Sequence, residues 1–364
     1  MKTRNFRVGL TVFLIIAALT GFLIILCLVE NQPKTIAKAL PSITQPQSNE
    51  VAVIEIPISG SLVSPRSEIS GLAFFNQTLL ILPQYPRRML PPGDSYADGY
   101  LFAIHQQDLL DYISDTKHEP IAPREIPLYT GGLEEDIPGF EGYEAIGFDG
   151  NHFYLAIEAR QMNKMMAYLV AGEITPDLSS FRLDPDSLTE NPLQQNQDNR
   201  SNEALLIHDQ RVISIHEING EKINPEPRAA VFNKSLLPEQ SIPFPNIEYR
   251  ITDATAVDEQ GVFWVINYFY PGDMDLIPQN DPIANQYPKG ATHAGSEIVE
   301  RLVQFKITAD RISMTEAEPL WLQLRPDGKA RNWEGIAWLS GSGFFLATDQ
   351  YPQTILGFVR YPVK

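Results

Sequence analysis

The chain is short of cysteine and of positive charge, and each shortage removes a class of function. A single cysteine, Cys27, in 364 residues excludes an intrachain disulfide and any cysteine-built metal cluster. Lys and Arg number 28 against 45 Asp and Glu, a formal net charge of −17, so a surface for nucleic-acid phosphates has no electrostatic footing. Surplus acid is compatible with cation binding, although it more often serves plain solvation. Several catalytic signatures are also missing: the Gly-x-Ser-x-Gly elbow, the His-Glu-x-x-His zinc pair, the P-loop and the dinucleotide fingerprint. Asp273 and Asp275 lack the glycine and the closing glutamate of an EF-hand loop.

What is present begins with an apolar run. Lys2, Arg4 and Arg7 precede Val8–Val29, which has no charged residue, and Glu30 follows it. A helix of that length spans a hydrocarbon core of about 30 Å. The charge order predicts residues 1–7 in the cytoplasm, a single-pass anchor over 8–29 in the cytoplasmic (inner) membrane and the remainder outside, in a periplasmic or equivalent space. Ala37-Lys38-Ala39 offers a small-x-small cleavage pattern, so a signal cut after Ala39, giving a secreted protein, is the alternative. Residues 30–50, with Pro33, Pro41 and Pro46, read as a flexible linker.

From Val51 the pattern turns to β, and 43% apolar residues supply a sizeable core. One unit recurs: an apolar run, a tight polar turn, a second apolar run, and a polar residue at each end. It occupies Ser70–Gln84, Glu144–Glu158, Glu203–Glu217, Asp253–Asn267 and Glu334–Asp349. The polar ends are 14 residues apart in four copies and 15 in the last. Further apolar segments follow each hairpin. Four strands per unit, repeated at intervals of 74, 59, 50 and 81 residues, predict an all-β fold, a β-propeller of four-stranded blades over 51–364. Val51–Ile58 would supply the outer strand that the last copy lacks and so close the ring. Five blades is the count. A sixth hidden in Pro271–Ser296 is one alternative, and two packed β-sandwiches are another.

In such a fold the strand starts Ser70, Glu144, Glu203, Asp253 and Glu334 ring one channel mouth, with Gln84, Glu158, Glu217, Asn267 and Asp349 beside them. Seven of these ten are acids and the others are neutral oxygen donors. Like charges so placed raise one another's pKa and destabilise the fold unless something neutralises them. Ca²⁺, which takes six to eight oxygens, is the economical solution, with Glu144, Glu203, Asp253, Asn267, Glu334 and Asp349 as its expected ligands. The bland reading is that the acids cap turns at strand ends. Arg200, Arg250 and Arg331 each precede a ring acid by three residues, and Arg160 follows Glu158 closely. They are candidates for a small anionic ligand or ester held bidentately, or else they pair with neighbouring acids inside the blades. His216 and Glu158 are the candidates for moving a proton. Trp264, Trp333 and Trp338 read as blade packing or mouth lining.

Ser70-Gly-Leu-Ala, Glu144-Ala-Ile and Asn332-Trp-Glu-Gly-Ile-Ala with Asp349 resemble the repeated motifs of phytase-like propellers ("esterase-like activity of phytase"). They are similar also to the related calcium-dependent propeller hydrolases, which include lactonases. The resemblance covers roughly Val51–Lys364. It implies a secreted or envelope propeller with Ca²⁺ at the channel mouth, hydrolysing a phosphate or carboxylic ester. By position it makes Glu144, Glu203, Asp253 and Glu334 metal or channel acids. The lysine cluster that a highly phosphorylated substrate would want is missing, which speaks against a true phytase. The expectation is therefore a membrane-anchored, calcium-dependent propeller hydrolase. The alternative is a non-catalytic propeller binding a ligand or an envelope protein at the same mouth or on the 271–296 loop.

Overall fold

A computed structural model describes residues 50–114, 116 and 119–361. The basic segment, the apolar run 8–29 and all of the linker except Glu50 lie outside the described residues. No helix among the described residues is long and apolar enough to cross a membrane.

The strands fall into five antiparallel groups. The first is β3 (Ile69–Phe75), β4 (Thr78–Pro83), β5 (Gly99–His105) and β6 (Arg124–Tyr129). The second is β7 (Phe140–Asp149), β8 (His152–Gln161), β9 (Lys164–Ile174) and β10 (Phe181–Glu190), the last also lying parallel to β6. The third is β11 (Asn202–His208), β12 (Arg211–His216), β13 (Arg228–Asn233) and β14 (Ile242–Pro243). The fourth is β15 (Arg250–Ala254), β16 (Val262–Phe269) and β17 (Val299–Ile307), with β18 (Ile312–Met314) and β19 (Leu320–Leu322) both on the outer edge of β17. The fifth is β20 (Trp333–Leu339), β21 (Gly343–Thr348) and β22 (Leu356–Arg360). The strand expected over 51–58 is split. β1 (Glu50–Val51) adds parallel to β19, while β2 (Val53–Ile56) pairs antiparallel with β22 and completes the fifth group.

Alternation along each strand gives it two apolar faces, and these are buried between neighbouring groups. Leu101 and Leu155 belong to the layer between the first and second groups. Tyr154 and Leu205 pack between the second and third, and Ile213 and Phe305 between the third and fourth. Ile266 and Leu346 pack between the fourth and fifth, and Phe345 and Leu79 return the circuit to the first. The first strands β3, β7, β11, β15 and β20 touch in that order, and β20 touches β3. Their inner edges pair with no further strand, so they line a central channel. The fold is a β-propeller.

The 271–296 stretch contains no strand. It holds short helical turns at Met274–Leu276, Pro282–Gln286 and His293–Gly295. Its charged groups tie it to the scaffold: Asp281 accepts both Arg301 terminal nitrogens at 2.8 and 3.2 Å, and His293 Nδ1 lies 2.8 Å from the buried carboxylate of Glu50. Two elements escaped the sequence pattern. β10 is interrupted by Pro185 and rich in polar residues, and the helix Gln106–Ile113 is amphipathic but short.

Candidate functional site

Each channel strand carries a β-bulge near its start, and the bulge is what aims the ring residues. The pairing shifts fall at Ile69/Gly71, Tyr143/Ala145, Asn202/Ala204, Ile251/Ala254 and Trp333/Gly335. The extra residue in four of them is Ser70, Glu144, Glu203 or Glu334. A bulged residue has no partner across the ladder and its side chain is re-aimed, which is why bulges recur beside functional sites.

In the fourth group the shift spans both Thr252 and Asp253, and two contacts identify Thr252 as the equivalent residue. Thr252 Oγ1 donates to Trp333 O at 2.5 Å, just as Ser70 Oγ donates to Tyr143 O at 2.6 Å; each acceptor immediately precedes the next ring acid. The Ile251 amide donates to Glu217 O at 2.9 Å, as the Tyr143 amide does to Gln84 O at 2.9 Å. The repeat is therefore slipped by one residue in this copy, and two expected ligands are corrected. Asp253 Oδ2 accepts the amides of Ile336 (2.8 Å) and Leu72 (3.4 Å), and its Oδ1 accepts that of Ala254 (2.7 Å). It joins three groups across the channel, and its oxygens are committed to amides. Asn267 pairs with Ile251 and points away from the mouth. Its amide nitrogen serves Glu248 O and Arg250 O, and its oxygen takes Arg301 Nε at 2.7 Å. The ring position belongs to Tyr268, whose ring lies under the Arg250 guanidinium at 5.7 Å.

The mouth that remains holds Glu144, Glu158, Glu203, Glu217, Glu334 and Asp349 around Arg250. Arg250 Nε bonds Glu217 Oε1, Nη2 lies 3.2 Å from Glu334 Oε1 and 3.9 Å from Glu203 Oε2, and Nη1 donates to Asn332 Oδ1 at 3.3 Å. Asn332 Nδ2 passes the contact on to Asp349 Oδ2 at 3.0 Å, and Gln84 Nε2 donates to Glu144 Oε1 at 2.9 Å. Close approach of the chain shapes this end. Gly142 has φ +133°, and a Cβ there would stand 2.4 Å from Gln84 Cγ.

Four of these six carboxylates, Glu203, Glu217, Glu334 and Asp349, feel the one guanidinium of Arg250, and the electrostatics follow. Burial pushes Glu334 up to about 8 and Glu158 up to about 7. Burial, then the charge of Glu158, raises Glu144 well above the usual range, and burial with Glu217 does the same to Glu203. Burial raises Asp349 as well. Burial alone would weaken the charge on Arg250, but Glu217, Glu334 and Glu203 more than offset it and hold the guanidinium protonated. Even so, Oε2 of Glu217 and Oε2 of Glu203 are buried and accept no hydrogen bond among the described residues. Glu217 is 0% exposed. All the spare donors are hard oxygens, the set a divalent hard cation takes. Among the described residues, no three His, Cys, Asp or Glu side chains yet converge into a ready ligand sphere. Arg250 stands between them.

The other expected site residues lie elsewhere. His216 projects to the opposite face from Glu217. Its Nδ1 accepts the Ile218 amide at 2.9 Å, and burial lowers its pKa to about 4, so it is a neutral interior imidazole and not a base at the mouth. Arg160 bonds Glu141 at 2.7 Å and also Asp198. Arg200 grips Asp275 through two nitrogens at 2.5 and 3.1 Å, and Arg331 is buried against Glu300 at 2.8 Å. These three arginines are committed to ion pairs; of the four, Arg250 alone faces the ring. Glu300 also takes the Trp333 indole at 2.8 Å, so that tryptophan is packing. Two mouth residues were absent from the expected ligand set. Glu217 had the right spacing in the repeat, whereas Asn332, two residues before Glu334, stood only at the head of the Asn332-Trp-Glu-Gly-Ile-Ala motif.

No protein-family model matches the sequence. No curated protein matches it either. Similar solved structures include the soluble aldose sugar dehydrogenase of Escherichia coli (11% identity, TM-score 0.41, 84% of this chain and 98% of that one). Another is an α-L-arabinanase of Cellvibrio cellulosa (8% identity, TM-score 0.42, 84% and 91%). A third is a β-xylosidase/α-arabinofuranosidase from a compost microbial metagenome (9% identity, TM-score 0.45, 84% and 94%). The likeness is one of strand architecture and transfers no residue role.

Proposed function

We propose that this chain is a five-bladed, extracytoplasmic propeller hydrolase, held at the membrane by residues 8–29, that cleaves a phosphate or carboxylic ester at its acidic mouth with the help of Ca²⁺. The observation that carries this reading is a pair of buried oxygens that accept no hydrogen bond, Glu217 Oε2 and Glu203 Oε2, the latter with its Arg250 countercharge 3.9 Å away, set among the other mouth carboxylates. Glu144, Glu203, Glu217, Glu334 and Asp349 would hold the ion; Asp253 and Asn267 drop out of the set. Bound there, Ca²⁺ would neutralise the ring and polarise the oxygen of an ester. The chain's own residues do the rest. Glu158, with its pKa pushed up to about 7, can give or take a proton near neutral pH. Arg250 orients Glu217 and Glu334 and, through Asn332, Asp349.

The test uses the full-length protein, chelated and then supplied with Ca²⁺, with thermal stability and hydrolysis of phosphate and carboxylic esters as readouts. The reading expects Ca²⁺ to raise both. No response in either removes the cation from the proposal. A rise in stability without turnover of any ester favours the second reading, a non-catalytic binding propeller. That reading has one observation of its own: the one histidine expected at the mouth, His216, faces away from it.

A further inference from the structure

The channel has a second compartment, on the far side of Asp253 from the acids. Counting from the bulge residue, the second and fourth following positions of each channel strand line it. In four groups these are large: Leu72 and Phe74, Ile146 and Phe148, Leu205 and Ile207, Ile336 and Trp338. In the fourth group they are Ala254 and Ala256. The two alanines border a cavity of about 180 Å³; every side chain lining it is apolar, and main-chain N–H and C=O groups supply nearly half of its surface. Its floor is buried, while Phe74, Phe148 and Trp338 are partly exposed towards the hairpin-turn face. The partition beneath offers no free charge, because the Asp253 carboxylate is held by the amides of Leu72, Ala254 and Ile336.

We propose that this slot binds one uncharged, planar aromatic ring of benzene-to-indole size, entering from the hairpin-turn face. Volume sets the size: an apolar cavity of about 150 Å³ accepts benzene. Wall chemistry excludes charge, because an ion entering the slot would give up its hydration and find no side-chain partner. Three aromatic side chains near the opening supply faces and edges for a guest ring. The inference does not depend on catalysis or on a cation at the other mouth.

The experiment follows indole by saturation-transfer NMR and by thermal shift with full-length protein, comparing wild type with Ala254→Leu/Ala256→Phe. That double variant gives the fourth group the side-chain pattern of the other four, so it should fold and fill the slot. The expected result is saturation transfer and stabilisation by indole in wild type, with affinity falling at least about tenfold in the filled variant. If the double variant fails to fold, Trp338→Ala takes its place, with indole affinity expected to fall at least about threefold. Equal indole binding by wild type and the folded variant overturns the site. Equal wild-type binding of cyclohexanol overturns the aromatic class, and equal binding of indole-3-acetate overturns the exclusion of charge.

Discussion

Two buried acids in one channel have opposite surroundings. Asp253 is 3% exposed and Glu217 is 0% exposed, so burial does not distinguish them. Asp253 receives three backbone amides from three strands of the ring. Glu217 shares a single guanidinium with Glu203 and Glu334 and keeps one oxygen with no partner. A carboxylate saturated by amides is part of the scaffold, whereas one left short of donors is available for a ligand. The donors around an acid, not its place in the repeat, separate the partition from the mouth.

Removing the shared guanidinium should break that comparison most severely. In chelator, Arg250→Gln strands the mouth carboxylates, and a loss of about 3–5 kcal/mol is expected in urea unfolding. Millimolar Ca²⁺ should recover a larger share of stability in the variant than it adds to wild type. A variant as stable as wild type in chelator would mean that protons alone neutralise the ring.

Asp253→Ala should come next, at about 3 kcal/mol, since it orphans the amides of three buried residues. Here the comparison predicts the reverse response: Ca²⁺ should restore nothing beyond what it gives wild type. A rescue by Ca²⁺ in the same unfolding assay would place Asp253 among the ligands after all.

The pH dependence sharpens the contrast further. Glu158 and Glu334 have folded pKa values of about 7 and about 8 against an ordinary 4.5, so the folded protein binds more protons than the unfolded chain. Their contribution is complete below pH 4.5 and is lost as the pH rises through those folded values. His216, lowered to about 4 from 6.5, contributes in the other direction, and only below pH 6.5. Cation-free protein should therefore lose stability as the pH rises from about 6.5 to 8, with the raised Glu144 and Glu203 adding to the decline, and Ca²⁺ should flatten the slope. Melting curves at three pH values in that window decide it, and Glu334→Gln should make the decline shallower.

The architecture was legible because alternation and turns repeat, and a strand's two faces are written in its own residues. The hairpin pairs and the closing role of Val53–Ile56 could be read that way. The bulges could not. A bulge changes register without changing composition, so the repeat spacing points to Asp253, and only the hydrogen bonds single out Thr252. The arginines failed for a related reason: spacing puts Arg200 near Glu203 and Arg331 near Glu334, yet their partners, Asp275 and Glu300, come from distant segments of the chain. Long-range pairing leaves no local pattern.

The smallest effect tests the slip itself. If Thr252 is the true counterpart of Ser70, each hydroxyl fastens its strand to a neighbouring group through one carbonyl, Trp333 O or Tyr143 O, and to nothing at the mouth. Ser70→Ala and Thr252→Ala should then each cost about 1 kcal/mol, with no change in the response to Ca²⁺. The two sites lie in different groups and share no partner, so the double variant should lose the sum, about 2 kcal/mol, in equilibrium unfolding. A Thr252→Ala variant that altered the Ca²⁺ response while Ser70→Ala did not would break the equivalence and return the ring position to the Thr252–Asp253 pair as a unit.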